Sequence, residues 1–231
     1  MIKIIIGGIG SGKSVTAVKE IIDRNNTTFL NFPVQYKKAV RLKTDMIISS
    51  KIEKIRKDGT AIKKLSVNYD FWNTIKEDGF DIVLDEVHNI MHARMSMTKH
   101  NTLMSIWLAQ IRKILGEAKH NDLILITQKM ARIDVSARDL AHEIIYCSKY
   151  EGKGLIKTRL YDSRNKRYYY KMLPPIYIKK NYFQGTYCQE KFEAFSMGDE
   201  CADKMTYYLA NPYFQFYDSY ALITFGDDTY V

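Results

Sequence analysis

The chain has 231 residues, 46% of them hydrophobic, which suffices for a full core, as one large domain or one domain with a small appendage, so that disorder is not the default. Its formal charge of +9 is unevenly placed: ten lysines and arginines against three acids between Lys37 and Lys64, and one lysine against six acids from Phe195 to Val231. No apolar run reaches the roughly 18 to 20 residues of a spanning helix, the N-terminus is too poor in apolar residues for a secretory signal, and the three cysteines have no metal-finger spacing, so a soluble, cytoplasmic protein with reduced thiols is expected.

Ile2 to Ile6 is a β-branched run without polar alternation, which predicts a strand buried on both faces of a parallel sheet. A helix is expected from about Lys13 to Arg24, broken by Asn25-Asn26, and Thr27 to Phe32 reads as the next strand, stopped by Pro33. The basic segment, about residues 37–64, reads as an insertion over one edge of the sheet, with a short strand at Asp45 to Ser49; its charge suits a polyanion, or simply a solvated face. Residues 68–80 predict a helix closed by Gly79, and Phe80 to Glu86 a second apolar strand that ends in two acids. Apolar residues at helical spacing between Asn101 and Lys119 predict a helix, and Asp122 to Gln128 a third buried strand with a polar end. A helix from about Val135 to His142 then leads into a strand at Glu143 to Lys149.

This alternation predicts an α/β domain over residues 1–150, a mostly parallel sheet flanked by helices. After Tyr150 the composition shifts. Thirteen of the seventeen tyrosines lie from Tyr161 onward, and residues 154–172 alternate around an Asp-Ser-Arg-Asn turn like a hairpin, so residues 151–231 are expected to form a small β-rich extension.

Gly7, Gly8, Ile9, Gly10, Ser11, Gly12, Lys13 and Ser14 fit G-x-x-x-x-G-K-[ST], followed by Val15, between a buried strand and a helix start. Glycines let such a loop point successive backbone N–H groups at phosphate oxygens, and the helix N-terminus adds its positive dipole end. Lys13 would reach the β- and γ-phosphates of ATP, and Ser14 would ligate Mg2+. A P-loop needs a carboxylate at the end of a neighbouring strand; Asp85 fits as the magnesium partner and Glu86 as the base that orients or deprotonates water, a pairing that suits hydrolysis. Gln128 ends the third strand, where its amide would sense the γ-phosphate, on the sheet edge at which α/β folds bind ligands. His88 and His92 stand at i, i+4 but lack the glutamate between them that metal-binding helices carry, and read as surface or hydrogen-bonded histidines.

The order "GGIGSGKS", "IVLDE", "LILITQ", with "DEVHNIMHARMSMTKHN", "QIRK" and "TQKMARIDVSAR", resembles the FtsK/HerA superfamily of DNA-pumping ATPases. Within it the likeness is to viral genome-packaging ATPases and to the Zot-like morphogenesis ATPases of filamentous phages, over about Met1 to Lys149. The resemblance implies a P-loop NTPase of RecA-like fold with Walker A and Walker B motifs, assembled in a homo-oligomeric ring, a hexamer, around double- or single-stranded DNA. It implies an arginine donated to the next subunit's ATP, for which Arg112 in "QIRK" is the first choice and Arg138 the second; where family members carry arginine nearer the third strand, this chain has Glu117 and Lys119. It further implies a cytoplasmic or virion-associated protein that meets a capsid or membrane protein of the virion. A viral genome-packaging ATPase is the favoured reading, a Zot-like extrusion ATPase the alternative, and a non-motor nucleotide switch or kinase a third.

Overall fold

Ile2–Ile6 form strand β1, and all five side chains are buried, as the unbroken apolar run requires. Alternation sends Ile2, Ile4 and Ile6 into one apolar layer and Ile5 into the other, so neither face of the strand meets water. The computed structural model describes residues 1–55, 57, 61–75, 79–90, 99–115, 121–150, 155–162 and 202–217. Its strands continue as β2 (Thr27–Leu30), β3 (Ala39–Arg41), β4 (Ile48–Ile55), β5 (Ala61–Val67), β6 (Phe80–Leu84), β7 (Leu123–Thr127), β8 (Glu143–Tyr150), β9 (Leu155–Asp162) and β10 (Lys204–Leu209). The helices are α1 (Lys13–Arg24), α2 (Thr44–Ile47), α3 (Tyr69–Ile75), α4 (Lys99–Ala109), α5 (Ile111–Leu115), α6 (Val135–Asp139) and α7 (Asn211–Phe214).

Eight strands form one sheet in the order β10-β9-β8-β1-β7-β6-β2-β3. From β8 to β3 every pairing is parallel, while β9 runs antiparallel between β8 and β10. This is the α/β, P-loop NTPase architecture that the sequence predicts. Because β7 lies between β1 and β6, the strand that ends in Gln128 separates the phosphate-loop strand from the acidic one.

Each face of the sheet is covered by its own layer. On one, Trp72 of α3 stacks on Phe80 at 5.3 Å and meets the edge of Phe29 at 5.7 Å, with Trp107 of α4 beside it. On the other, Ala17, Val18 and Ile21 of α1 pack over Ile5, Val83 and Ile124. The edge at which the parallel strands begin is tied by charge: Arg24 donates from Nε and Nη2 to buried Asp81, and its Nη1 lies 2.9 Å from Asp122, which also meets Lys3 Nζ at 3.0 Å and the amino group of Met1 at 2.7 Å. Burial alone would raise the Asp122 pKa, but these cations more than offset it and hold the carboxyl below its ordinary value.

Three expectations need correction. Asp45 to Ser49 is not a short strand: the one-turn helix α2 leads into the eight-residue strand β4, which pairs with β5 as a separate two-stranded sheet. The helix expected over Asn101 to Lys119 is, as far as Leu115, two helices parted at Gln110; residues 116–119 lie outside the described residues. The hairpin expected around the Asp-Ser-Arg-Asn turn does not supply the partners of β9, both of whose sides are taken by β8 and β10; the rest of that stretch lies outside the described residues. Cys147 is a free, buried thiol, while Cys188 and Cys201 also lie outside the described residues. Among the described residues no helix is long and apolar enough to cross a membrane.

Candidate nucleotide site

The phosphate loop leaves the end of β1 through positive-φ glycines at Gly10 (69°) and Gly12 (92°), conformations that side chains rarely adopt. Gly12 also has no room for one: a Cβ there would sit 2.4 Å from Ile156 Cδ1 of β9. The loop therefore turns tightly against the sheet and opens directly into α1 at Lys13. Lys13 is 8% exposed, and its ammonium donates to the Gly8 carbonyl at 2.9 Å, staying at the loop. Glycines, an ammonium and a helix N-terminus brought together at one loop fit a polyphosphate.

Ser14, in the first turn of α1, donates its hydroxyl to Asp85 Oδ2 at 2.7 Å. The sheet order brings them together, since Asp85 follows the end of β6, two strands from β1. Asp85 is 1% exposed. Burial pushes its pKa up, and the Ser14 hydroxyl, the Glu86 backbone N–H and nearby Lys13 offset this only in part. A hydroxyl and a buried carboxylate in contact are hard oxygen donors of the kind Mg2+ takes, beside the place for phosphate oxygens.

Glu86 carries the left-handed backbone (φ 48°) that bends the chain away after β6 and turns its carboxylate towards the next strand end. There Gln128 Nε2 donates to Glu86 Oε1 at 3.4 Å, and His88 Nδ1 lies 3.2 Å from Glu86 Oε2. Asp85, Glu86 and Gln128, which follow strand ends, thus meet Ser14 of the first turn of α1 at one sheet edge.

Three further residues join them. Asn31, immediately after β2 and 1% exposed, accepts the Asp85 backbone N–H at 2.7 Å and donates to the Asp85 carbonyl at 2.9 Å, fixing the peptides on both sides of Asp85. His88 is buried against Thr127, whose Oγ1 lies 3.3 Å from Nδ1. Arg132 donates to Gln128 Oε1 at 3.5 Å. Asn31 had a signal in the sequence, a polar residue ending a buried strand like Gln128; His88, expected as a surface or hydrogen-bonded histidine, is hydrogen-bonded, while His92 lies outside the described residues, and Arg132 had no signal, because the turn that brings it back is not periodic. Of the candidate trans arginines, Arg112 is exposed on α5, in the connection leading into the start of β7 rather than at the strand ends, and Arg138 lies half-buried on α6.

Residues 1–191 match the family model of zonular occludens toxin (Zot). The chain belongs to the Zot family. Among solved structures, the N-terminal domain of zonular occludens toxin from Neisseria meningitidis is similar at 21% identity, over 70% of this chain and 83% of its own, with a TM-score of 0.44. The genome packaging NTPase of Sulfolobus turreted icosahedral virus 2, in complex with ATP-gammaS, is 14% identical over 71% of this chain and 92% of its own, with a TM-score of 0.43. Among curated proteins none matches. The Zot match spans β1 through β9 and so takes in the whole strand-end cluster.

Proposed function

We propose that this Zot-family protein is an ATP-hydrolysing motor that moves DNA. The observation that carries the nucleotide half is the Ser14–Asp85 contact beneath the phosphate loop, with Glu86 and Gln128 on the adjoining strand ends. When bound, Mg2+ supplies charge neutralisation at the phosphates; Ser14 and Asp85 would hold it, and Lys13 and the backbone N–H groups of residues 8–15 would hold the triphosphate of ATP. Glu86 accepts the proton of the attacking water, and Gln128, bridging Glu86 and Arg132, positions that carboxylate and reads the γ-phosphate position. Arg112 completes the site of the neighbouring subunit in a hexameric ring, with Arg138 as the second candidate.

The DNA half is supported by the β4–β5 hairpin. Its register places Lys51 directly opposite Lys64, with Lys54 on the same face beyond a bulge. Like charges directly opposed on a sheet destabilise it, and a phosphate backbone along that face relieves the repulsion. Membership of the Zot family favours the extrusion form of the motor, working with a membrane or capsid protein; the genome-packaging form uses the same site and differs in where the DNA goes. The test is hydrolysis of ATP by the full chain with Mg2+ and with EDTA. Hydrolysis that needs Mg2+ and disappears in Lys13→Ala supports the site, and hydrolysis that survives either change overturns it.

A further inference from the structure

Thr16, one helical turn beyond Gly12 and 3% exposed, stands at the centre of a hydrogen-bond junction. Its hydroxyl donates to the Gly12 carbonyl at 2.8 Å, which also accepts the Thr16 backbone N–H at 2.8 Å. A hydroxyl has one proton and two acceptor lone pairs, so with that proton committed Thr16 Oγ1 can only accept from its other neighbours. These are the Tyr208 hydroxyl of β10 at 2.6 Å and the Cys147 thiol of β8 at 3.2 Å. Burial raises the pKa of both groups, that of Cys147 to about 11, so each keeps its proton.

The direction of this relay matters. The peptide between Gly12 and Lys13 is trans, so a carbonyl drawn into the helix turns the Lys13 N–H the opposite way, out of the helix N-terminus at the phosphate loop. Tyr208 is itself held. Its ring meets the edge of Tyr213 at 5.9 Å, and the chain beyond crosses α1 to pair with the segment after β2, where the Gln35 N–H donates to the Phe216 carbonyl and Tyr217 meets the edge of Phe32 at 5.6 Å. Ile156 of β9 closes the same side of the loop against Gly12.

We propose that Tyr208 is a positioning residue for the phosphate loop: through Thr16 it fixes the Gly12–Lys13 peptide, so that the strap of residues 204–217 presets the nucleotide cradle. The proposal rests on the nucleotide-binding reading above and names a determinant outside the loop motif. A fixed backbone N–H facing the β-phosphate acts on the bound ground state of di- and triphosphate alike, so its loss raises KM rather than lowering kcat.

The test compares the full-length wild type with Tyr208→Phe, Thr16→Val and Thr16→Ser, measuring ADP affinity, ATP KM and kcat, and nucleotide-free melting temperature. Tyr208→Phe keeps the ring and loses the relay's first donor; it is expected to raise the ADP Kd and the ATP KM together by about five- to tenfold, one charge-free hydrogen bond's worth, with kcat within about twofold. Thr16→Val is expected to do the same, and Thr16→Ser, which keeps the hydroxyl, to restore both values. Unchanged ADP affinity in Tyr208→Phe beside a wild type that binds ADP overturns the relay alone. A loss in Thr16→Ser equal to that in Thr16→Val, or losses that merely track a lowered melting temperature, also overturns it. Failure of the wild type to bind ADP overturns the relay and the nucleotide reading together.

Discussion

Ser14 and Asp85 satisfy each other across 2.7 Å, and the proton on that hydroxyl stands where a divalent cation would bind. Burial favours the protonated Asp85 carboxyl, so the part of the stability it supplies is complete in acid and is lost as pH rises through its raised pKa. Cation binding needs the ionised form. The rise in melting temperature produced by Mg2+ and nucleotide is therefore expected to grow with pH across the window above the ordinary carboxylate range, and Asp85→Asn should abolish this trend in a thermal-shift series. The role proposed for Glu86 is different. Glu86→Gln should cut turnover by about 10²- to 10⁴-fold, the worth of a general base, with nucleotide affinity retained; unchanged turnover in a steady-state assay would assign the base elsewhere. Asn31→Ala leaves the Asp85 N–H and carbonyl buried without their partner, at a cost of about 1–3 kcal/mol per group, readable in urea melts as a lowered midpoint. The residues legible in sequence were those whose position follows from a strand end, namely Gly7 to Ser14, Asp85, Glu86 and Gln128. Arg132 returns to the site through a turn that carries no periodicity, and Tyr208 comes from 192 positions beyond Thr16.

At the scale of elements, β1, β6 and β7 were readable because burial on both faces leaves an unbroken apolar run, and Asp81 sits within such a run only because Arg24 and Asn26 reach it. Asp81→Asn places an amide among these donors and breaks a buried ion pair, an expected loss of about 3–5 kcal/mol in chemical denaturation. Its neighbour Asp122 has a lowered pKa, so the stability it supplies is present above the ordinary carboxylate range and lost as pH falls through that lower value; Asp122→Asn should flatten the acid limb of a stability profile. The partners of β9 were not legible, since β10 begins more than forty residues after β9 ends and loop length leaves no mark on local pattern. The β4–β5 hairpin was hidden differently: two charged strands with Lys51 and Lys54 of one and Lys64 of the other on one face look like a solvated segment. Replacing those three lysines by glutamine should weaken DNA binding and lower its salt slope by about one per lysine that touches a phosphate, while leaving ATP affinity unchanged.

In the molecule as a whole, β9 and β10 extend the same sheet as the phosphate loop, the strap packs on α1 through Ala210 against Val15, and the basic hairpin forms a second, two-stranded sheet. A motor that grips DNA at the hairpin and hydrolyses ATP at the strand ends, as proposed above, has to couple the two. Coupling has a direct signature. The most direct measurement is the steady-state ATPase rate of the full-length protein with and without DNA, at matched low and high salt, beside its mass in solution. The account predicts an oligomer whose hydrolysis rises severalfold with DNA, falls back as salt releases the DNA, and is absent in Lys13→Ala. A monomer whose hydrolysis is indifferent to DNA would contradict it.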